Sequence, residues 1–244
     1  MANWQDPQMT GLDTARVGVP TVARDAGLRS YMLKVYNYMA SGVLLTGIVA
    51  MLFANSGYAA QIMLGGGILP WVIILSPLAI VFAMSFGANR MSAATLQMLF
   101  WAFAGLMGLS MSTVFLVYTG TSIAQTFFAV TAAFAGLSLY GYTTKRDLSV
   151  FGTFLIMGVV GILVAMLLNS FVFKSTGMAM AISAIGVLIF AGLTAYDTQR
   201  IKSIYYQVQG SEMVGKTAIL GALSLYLDFI NMFQFLLMFM GDRR

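Results

Sequence analysis

Residues 223–234 read Leu-Ser-Leu-Tyr-Leu-Asp-Phe-Ile-Asn-Met-Phe-Gln and lie inside an apolar run that is long enough to cross a membrane. Asp228 stands near the middle of that run. Membrane insertion scales put the cost of a central Asp at roughly 2.5 to 3.5 kcal/mol. Chains keep such an acid where it faces other protein or water, so Asp228 is interpreted as part of a functional site. A second acid, Asp197 in Ala-Tyr-Asp-Thr-Gln, ends the preceding apolar run.

The composition identifies an integral membrane protein. Of the 244 residues, 59% are hydrophobic and only 9% are charged, and the mean hydropathy is +0.86. Soluble domains carry about 25% charged residues. The net charge of +5 is attributed to membrane orientation, not to nucleic-acid binding, because the basic residues lie between apolar runs.

Two residue types are missing from the sequence, and their absence narrows the chemistry. Without Cys there is no disulfide, thiolate metal site or cysteine nucleophile. Without His there is no Ser-His-Asp triad and no imidazole pH switch. We therefore expect no enzyme activity and no cofactor, and we expect any pH response near neutrality to come from carboxylates.

The distribution of charge predicts a tail followed by seven spans. Residues 1–30 are polar and mixed in charge, which predicts a disordered cytoplasmic tail, and residues 31–244 form the transmembrane domain. The predicted fold is all-α. Two charge-free runs each hold two spans of about 20 residues, and three further runs hold one each. These runs are 35–89, 91–144, 148–173, 175–196 and 217–241.

Basic residues are distributed unequally between the two sides that seven spans create. The first side collects ten of them: Arg16, Arg24, Arg29, Lys34, Arg90, Lys145, Arg146, Arg200, Lys202 and Lys216. The other side has three: Lys174, Arg243 and Arg244. The positive-inside rule therefore predicts a cytoplasmic N-terminus and an external C-terminus. In the alternative interpretation the last run is re-entrant and both termini are cytoplasmic.

Small and polar residues share one face of the seventh predicted span. They recur at helical spacing as Thr217, Gly221, Ser224, Asp228 and Asn231. This face turns Asp228 toward the bundle interior, where Ser224 and Asn231 are able to hydrogen-bond it from adjacent turns. The sixth predicted span carries a weaker face of the same kind, with Ser183, Gly186, Phe190, Thr194 and Asp197.

Whether the two acids meet depends on where the helices end. Asp228 is 12 residues past Lys216, about 18 Å along a helix, whereas Asp197 lies only three residues before Arg200. They meet if the sixth span continues past Arg200 or if the seventh begins below the membrane surface. A meeting pair would share a proton, titrate as a coupled unit and offer, with Asn231 and water, oxygen ligands suited to Ca²⁺.

Arg90 has two interpretations. It is the only basic residue between Lys34 and Lys145. It either pairs with an acid and holds a pore shut, or it is an ordinary positive-inside anchor.

Three stretches resemble the bacterial branch of the Bax inhibitor-1 family. They are 138–149 (Ser-Leu-Tyr-Gly-Tyr-Thr-Thr-Lys-Arg-Asp-Leu-Ser), 192–199 (Gly-Leu-Thr-Ala-Tyr-Asp-Thr-Gln) and 223–233. The resemblance implies six helices packed around a central seventh, in the bacterial inner membrane. It also implies a pH-sensitive Ca²⁺ leak with an aspartate pair bridging the last two helices. Asp197 and Asp228 fall on those motif positions, and Arg90 matches the arginine that engages the pair in the closed state.

Two other functions are considered. Some bacterial relatives act as partners or regulators of a membrane-bound ATP-dependent protease. In that case the polar tail would be the segment that binds the protease. An intramembrane aspartyl protease also places two Asp on adjacent helices, one of them after Tyr. Against it, Leu-Tyr-Leu stands before Asp228 where that class has Gly-x-Gly, and no Pro-Ala-Leu occurs.

Overall fold

The computed structural model describes residues 21–244, with side chains from Asp25 onward, and these residues form a helical membrane bundle. The helices are α1 (Thr21–Asn55), α2 (Tyr58–Leu64), α3 (Leu69–Gly87), α4 (Ala93–Val117), α5 (Gly120–Thr143), α6 (Ser149–Leu168), α7 (Thr176–Val208) and α8 (Met213–Met240). A π-helical segment, Asn169–Phe173, extends α6. All of these helices except the short α2 are long and apolar enough to cross a membrane. The prediction of an all-α fold with seven spans is confirmed.

The first helix begins earlier than the sequence indicates. Residues 21–30, assigned to the tail, are helical and continuous with the first span. Residues 1–20 of the predicted tail lie outside the described residues.

Polar side chains cap the helices that begin at tight turns. The Ser92 hydroxyl accepts a hydrogen bond from the Thr95 backbone N–H at 3.1 Å at the start of α4. At the start of α5, the Thr119 hydroxyl accepts a hydrogen bond from the Ser122 backbone N–H at 3.3 Å. Such caps satisfy backbone donors that have no partner within the helix. They allow short connections between antiparallel spans.

The sixth span is longer than predicted. The expected end at residue 196 is wrong, because α7 continues through Arg200 to Val208. Charged side chains do not stop a helix when they reach water at its end, and the Arg200 side chain is half exposed. The turn that follows contains Gly210 at φ +80°, in the left-handed region that favours glycine.

The last helix is the most enclosed of the spans. It packs against α7, α1, α5 and α4, and Leu225, Tyr226 and Met232 on it are almost completely buried. By contrast, α3 packs chiefly on α4, and α6 chiefly on α7. The expectation that all six helices surround the seventh therefore goes further than these contacts, which place four helices directly around α8.

The ends of α8 show that it crosses the whole bundle. Near its start, a Cβ on Gly215 would lie 3.7 Å from Ala93, the first residue of α4. Beyond its end, the Thr119 N–H donates to the Asp242 carbonyl at 3.1 Å, and the Arg244 N–H donates to the Val117 carbonyl at 2.9 Å. Since α4 and α8 meet at both ends, the re-entrant interpretation is wrong.

Candidate functional site

The two acids are both buried at the interface of α7 and α8. Asp197 is 8% exposed and Asp228 is 4% exposed. The continuation of α7 past Arg200 meets the condition for their approach, and the Asp228 carboxyl lies within electrostatic range of both Asp197 and Arg200. Within residues 25–244, no hydrogen bond joins the two carboxyls. The structure therefore holds a neighbouring pair, not a hydrogen-bonded bridge.

Asp228 lacks the hydrogen bonds expected from its own helix. Its Oδ2 atom is buried and has no hydrogen-bond partner among the described residues. Asn231 instead donates from Nδ2 to the Leu227 carbonyl at 2.7 Å, and Ser224 makes no hydrogen bond to Asp228. The hydrogen bonds that these two side chains were able to make to Asp228 are therefore not formed, and Asn231 makes the bond to the carbonyl four residues back that polar side chains inside helices often make. One carboxyl oxygen therefore remains available to a proton, a cation or water.

Thr194, like Asn231, makes its hydrogen bond within its own helix. Its hydroxyl donates to the Phe190 carbonyl at 2.8 Å, and the residue is completely buried one turn from Asp197. Its hydrogen bond therefore supports α7 and does not reach either acid.

The cation beside the pair is Arg200. Its Nη1 atom lies 3.4 Å from Asp197 Oδ1. Arg90 is exposed in the turn between α3 and α4, and its side chain forms no ion pair within the part of the chain that the structure describes. The expected pairing of Arg90 with an acid is thus absent here. The i,i+3 spacing of Asp197 and Arg200 was the signal for the observed pair, and it was hidden by ending the helix at residue 196.

A cavity of about 110 Å³ lies between α7 and α8 beside Asp197. Ile204 and Thr217 line its end near the α7–α8 turn, and Asp197 and Ser224 line its deep end. Asp228 follows Ser224 by one helical turn on the same face of α8. Water-sized space therefore leads from the turn to Asp197 and stops short of Asp228.

The acids by themselves make an incomplete calcium site. Among residues 25–244 there is no cluster of three or more acidic residues that could hold a metal. Ca²⁺ takes six to eight oxygen ligands, whereas two carboxylates provide at most four. The hydroxyls of Ser224 and Thr217, which also line the cavity, are the further protein oxygens at hand.

Residues around the pair fix α7 against its neighbours. A Cβ on Gly141 would overlap the backbone carbonyl of Ala195, so α5 and α7 are in direct backbone contact two residues before Asp197. Lys202 Nζ donates to the Tyr142 carbonyl at 2.6 Å. The 138–149 and 192–199 motifs therefore form one joint between α5 and α7.

Gln199 ties α7 to the connection between α5 and α6. Its Oε1 accepts from the Leu148 N–H at 2.9 Å, and its Nε2 donates to the Arg146 carbonyl at 2.8 Å. Sequence reasoning did not assign these roles to Gly141, Gln199 and Lys202. The only sequence signal for Gly141 and Gln199 was their place within the motifs, and Lys202 lies outside them.

Comparison with known proteins places the whole bundle in one family. Residues 28–244 match the family model described as "Inhibitor of apoptosis-promoting Bax1". The chain is 45% identical over 221 residues to "Inner membrane protein YbhL" of Escherichia coli K12, covering 90% of this chain and 94% of that protein. It is 47% identical over 220 residues to "Uncharacterized protein RP147" of Rickettsia prowazekii, covering 90% and 92%. A Caulobacter vibrioides protein is 45% identical over 231 residues, with coverage of 90% and 91%.

Proposed function

Because the chain belongs to the Bax inhibitor-1 family, we propose that it is a pH-sensitive leak pathway for Ca²⁺ controlled by Asp197 and Asp228. The observation that carries the proposal is the buried Asp228 Oδ2 atom, which has no hydrogen-bond partner among the described residues and lies near a second buried acid. A membrane helix retains such a group where it meets an ion or a proton.

Control by pH follows from competition at the same oxygen atoms. Two neighbouring carboxyls in a low-dielectric environment do not titrate independently, and a proton held by the pair removes the charge that attracts a cation. The half-exposed Arg200 is a third competitor, since its positive charge occupies Asp197 when Ca²⁺ does not. Gating then consists of exchange among a proton, Ca²⁺ and Arg200 at one pair of acids.

The orientation of the pathway is proposed from charge. Ten basic residues belong to the side that carries the α7–α8 turn, against three on the other side, so this side faces the cytoplasm. The cavity in front of Asp197 is then the cytoplasmic entrance. The relative YbhL is named as an inner membrane protein, and we assign this chain to the same membrane.

The test is Ca²⁺ flux into proteoliposomes that contain the purified full-length chain, measured from pH 6 to 8. We expect flux in the wild type to vary with pH, and Asp197→Asn and Asp228→Asn each to abolish that variation. Asp147→Asn serves as the matched control, because Asp147 is an exposed acid in the α5–α6 connection. An unchanged pH profile in both site variants would show that the pair is not the sensor.

A further inference from the structure

A long groove separates α1 from α5. These helices make little direct contact, since α1 packs on α4 and α8 whereas α5 packs on α7 and α8. Between them lie two cavities of about 670 Å³ and 300 Å³, which share Val43, Phe127 and Phe229 in their linings. The two cavities are therefore adjacent and are here together called the α1–α5 groove, with Phe229 of α8 as part of its floor.

The groove runs along the two spans, across the thickness of the bilayer, and its lining is mostly apolar. Its α1 side extends over the 22 residues from Arg29 to Ala50, or about 32 Å of helix. The hydrocarbon core of a bilayer is about 30 Å thick. Leu33, Met39 and Phe134 are typical of the lining. An apolar groove between two spans at this depth borders hydrocarbon chains and not water, so its occupant has to be apolar over most of its length.

The two ends of the groove differ in charge. Arg29 lines one end, is exposed, and forms no ion pair within residues 25–244, not even with Asp25 one turn away. Tyr142 lines the same end, and Lys202 Nζ lies 5.4 Å from the centre of its ring. The lining near the other end, around Gly120 and Ile123, contains no charged residue. A ligand with one anionic end and a hydrocarbon remainder matches this asymmetry.

We propose that the α1–α5 groove binds an anionic phospholipid, with an acyl chain between α1 and α5 and the phosphate group at Arg29. The larger cavity reaches from Arg29 to Leu44, about 22 Å along α1, which exceeds the roughly 15 Å depth of one leaflet. Lys202, beside the Tyr142 ring, adds positive charge at the same end of the groove as Arg29. Because Phe229 is one residue after Asp228, the bound chain contacts α8 directly beside the acid.

The first experiment compares phosphatidylglycerol with phosphatidylcholine, using native mass spectrometry of the full-length chain purified in detergent. We expect wild type to prefer phosphatidylglycerol, and Arg29→Gln to weaken phosphatidylglycerol binding about fivefold without affecting phosphatidylcholine, the effect of one basic residue at an anionic surface. Ala135 lines the groove, so Ala135→Phe should weaken both lipids. Arg90→Gln and Ala133→Phe are controls, because both positions are exposed outside the groove.

The second experiment remains informative if Ala135→Phe does not fold. Wild-type protein is reconstituted with phosphatidylglycerol that carries a photoreactive diazirine in one acyl chain, and the labelled peptides are identified. Labelling concentrated in residues 29–50 and 120–142 supports the groove. Labelling spread equally over the lipid-facing α3 and α6, equal binding of both lipids, or a second copy of the chain that displaces the lipid would each overturn the proposal.

Discussion

Arg200 Nη1 lies 3.4 Å from Asp197 Oδ1 on the same helix, and the side chain of Arg200 is 52% exposed whereas that of Asp197 is 12% exposed. The ion pair therefore joins a buried acid to a cation that is in contact with solvent. Such partly exposed pairs contribute little stability, because water and salt compete with them. This contact is readily exchanged, which suits a pair whose proposed task is to accept other cations.

Removal of Arg200 should shift the pH response of the proposed leak. The positive charge of Arg200 beside Asp197 opposes the arrival of a second positive charge at the acid pair, and Arg200→Gln removes that opposition. We expect the midpoint of the flux–pH curve in proteoliposomes to move upward, with the total change in flux preserved. Arg90→Gln is the control and should leave the midpoint in place. A shift of equal size in the control would mean that the effect is a general one of surface charge.

Gly141 should be intolerant of any side chain. The Cβ of Gly141→Ala would overlap the carbonyl of Ala195, which is backbone and cannot move aside as a side chain does. Forced separation of α5 from α7 should lower the free energy of unfolding by about 1–3 kcal/mol. Denaturant unfolding of the purified protein in detergent measures this change. Gly136→Ala on α5 is the control, since nothing lies within 4 Å of its added Cβ; similar losses in both variants would contradict the argument.

A buried hydroxyl connects α8 to the first spans. Thr46 Oγ1 donates to the Ala104 carbonyl at 2.8 Å, so the Tyr226 hydroxyl, 2.6 Å away, donates to Thr46. Tyr226→Phe should lower the free energy of unfolding by about 0.6 kcal/mol, the average for hydrogen bonds between membrane helices, and by no more than the maximum of about 1.7 kcal/mol. The exposed Tyr58 provides the control variant, Tyr58→Phe. No difference between the two variants would show that the hydrogen bond does not stabilise the bundle.

Asp147 should contribute stability that depends on pH. Hydrogen bonds from the Ser149 side chain and backbone lower the pKa of Asp147 below its ordinary value of 3.8. A carboxyl with a lowered pKa stabilises the folded state above the unfolded pKa, and this contribution is lost as the pH falls through the folded value. Asp147→Ala should therefore lower the thermal midpoint at pH 6, and the difference from wild type should shrink below about pH 4. A difference from wild type that stays constant over this pH range would contradict the prediction.

The absence of Cys from the sequence allows a direct test of orientation. Lys174→Cys and Arg244→Cys lie on the side opposite to Lys145→Cys, because an even number of spans separates the first two positions and an odd number separates either from the third. A membrane-impermeant maleimide should label the first two in intact cells and the third only after permeabilisation. The reverse pattern would contradict the proposed cytoplasmic entrance.

The number and character of the spans could be read from the chain, because burial in hydrocarbon requires about 20 apolar residues for each crossing. Charge-free runs therefore predicted all seven spans. Helix ends were less predictable: Arg200 and Lys202 suggested that the sixth span had stopped, yet α7 continues to Val208. A charged residue at a membrane surface marks where water begins and not where helical hydrogen bonding ends.

What the sequence determined by itself was the presence of two costly acids and the polar face around Asp228, since both depend only on composition and helical periodicity. Only the tertiary structure decided their partners. Arg200 and not Arg90 stands beside Asp197, and Asn231 bonds its own helix, leaving Asp228 Oδ2 without a partner among the described residues. Partners depend on how far each helix extends and how it packs against the next, and neither quantity is encoded in the spacing of residues along one segment.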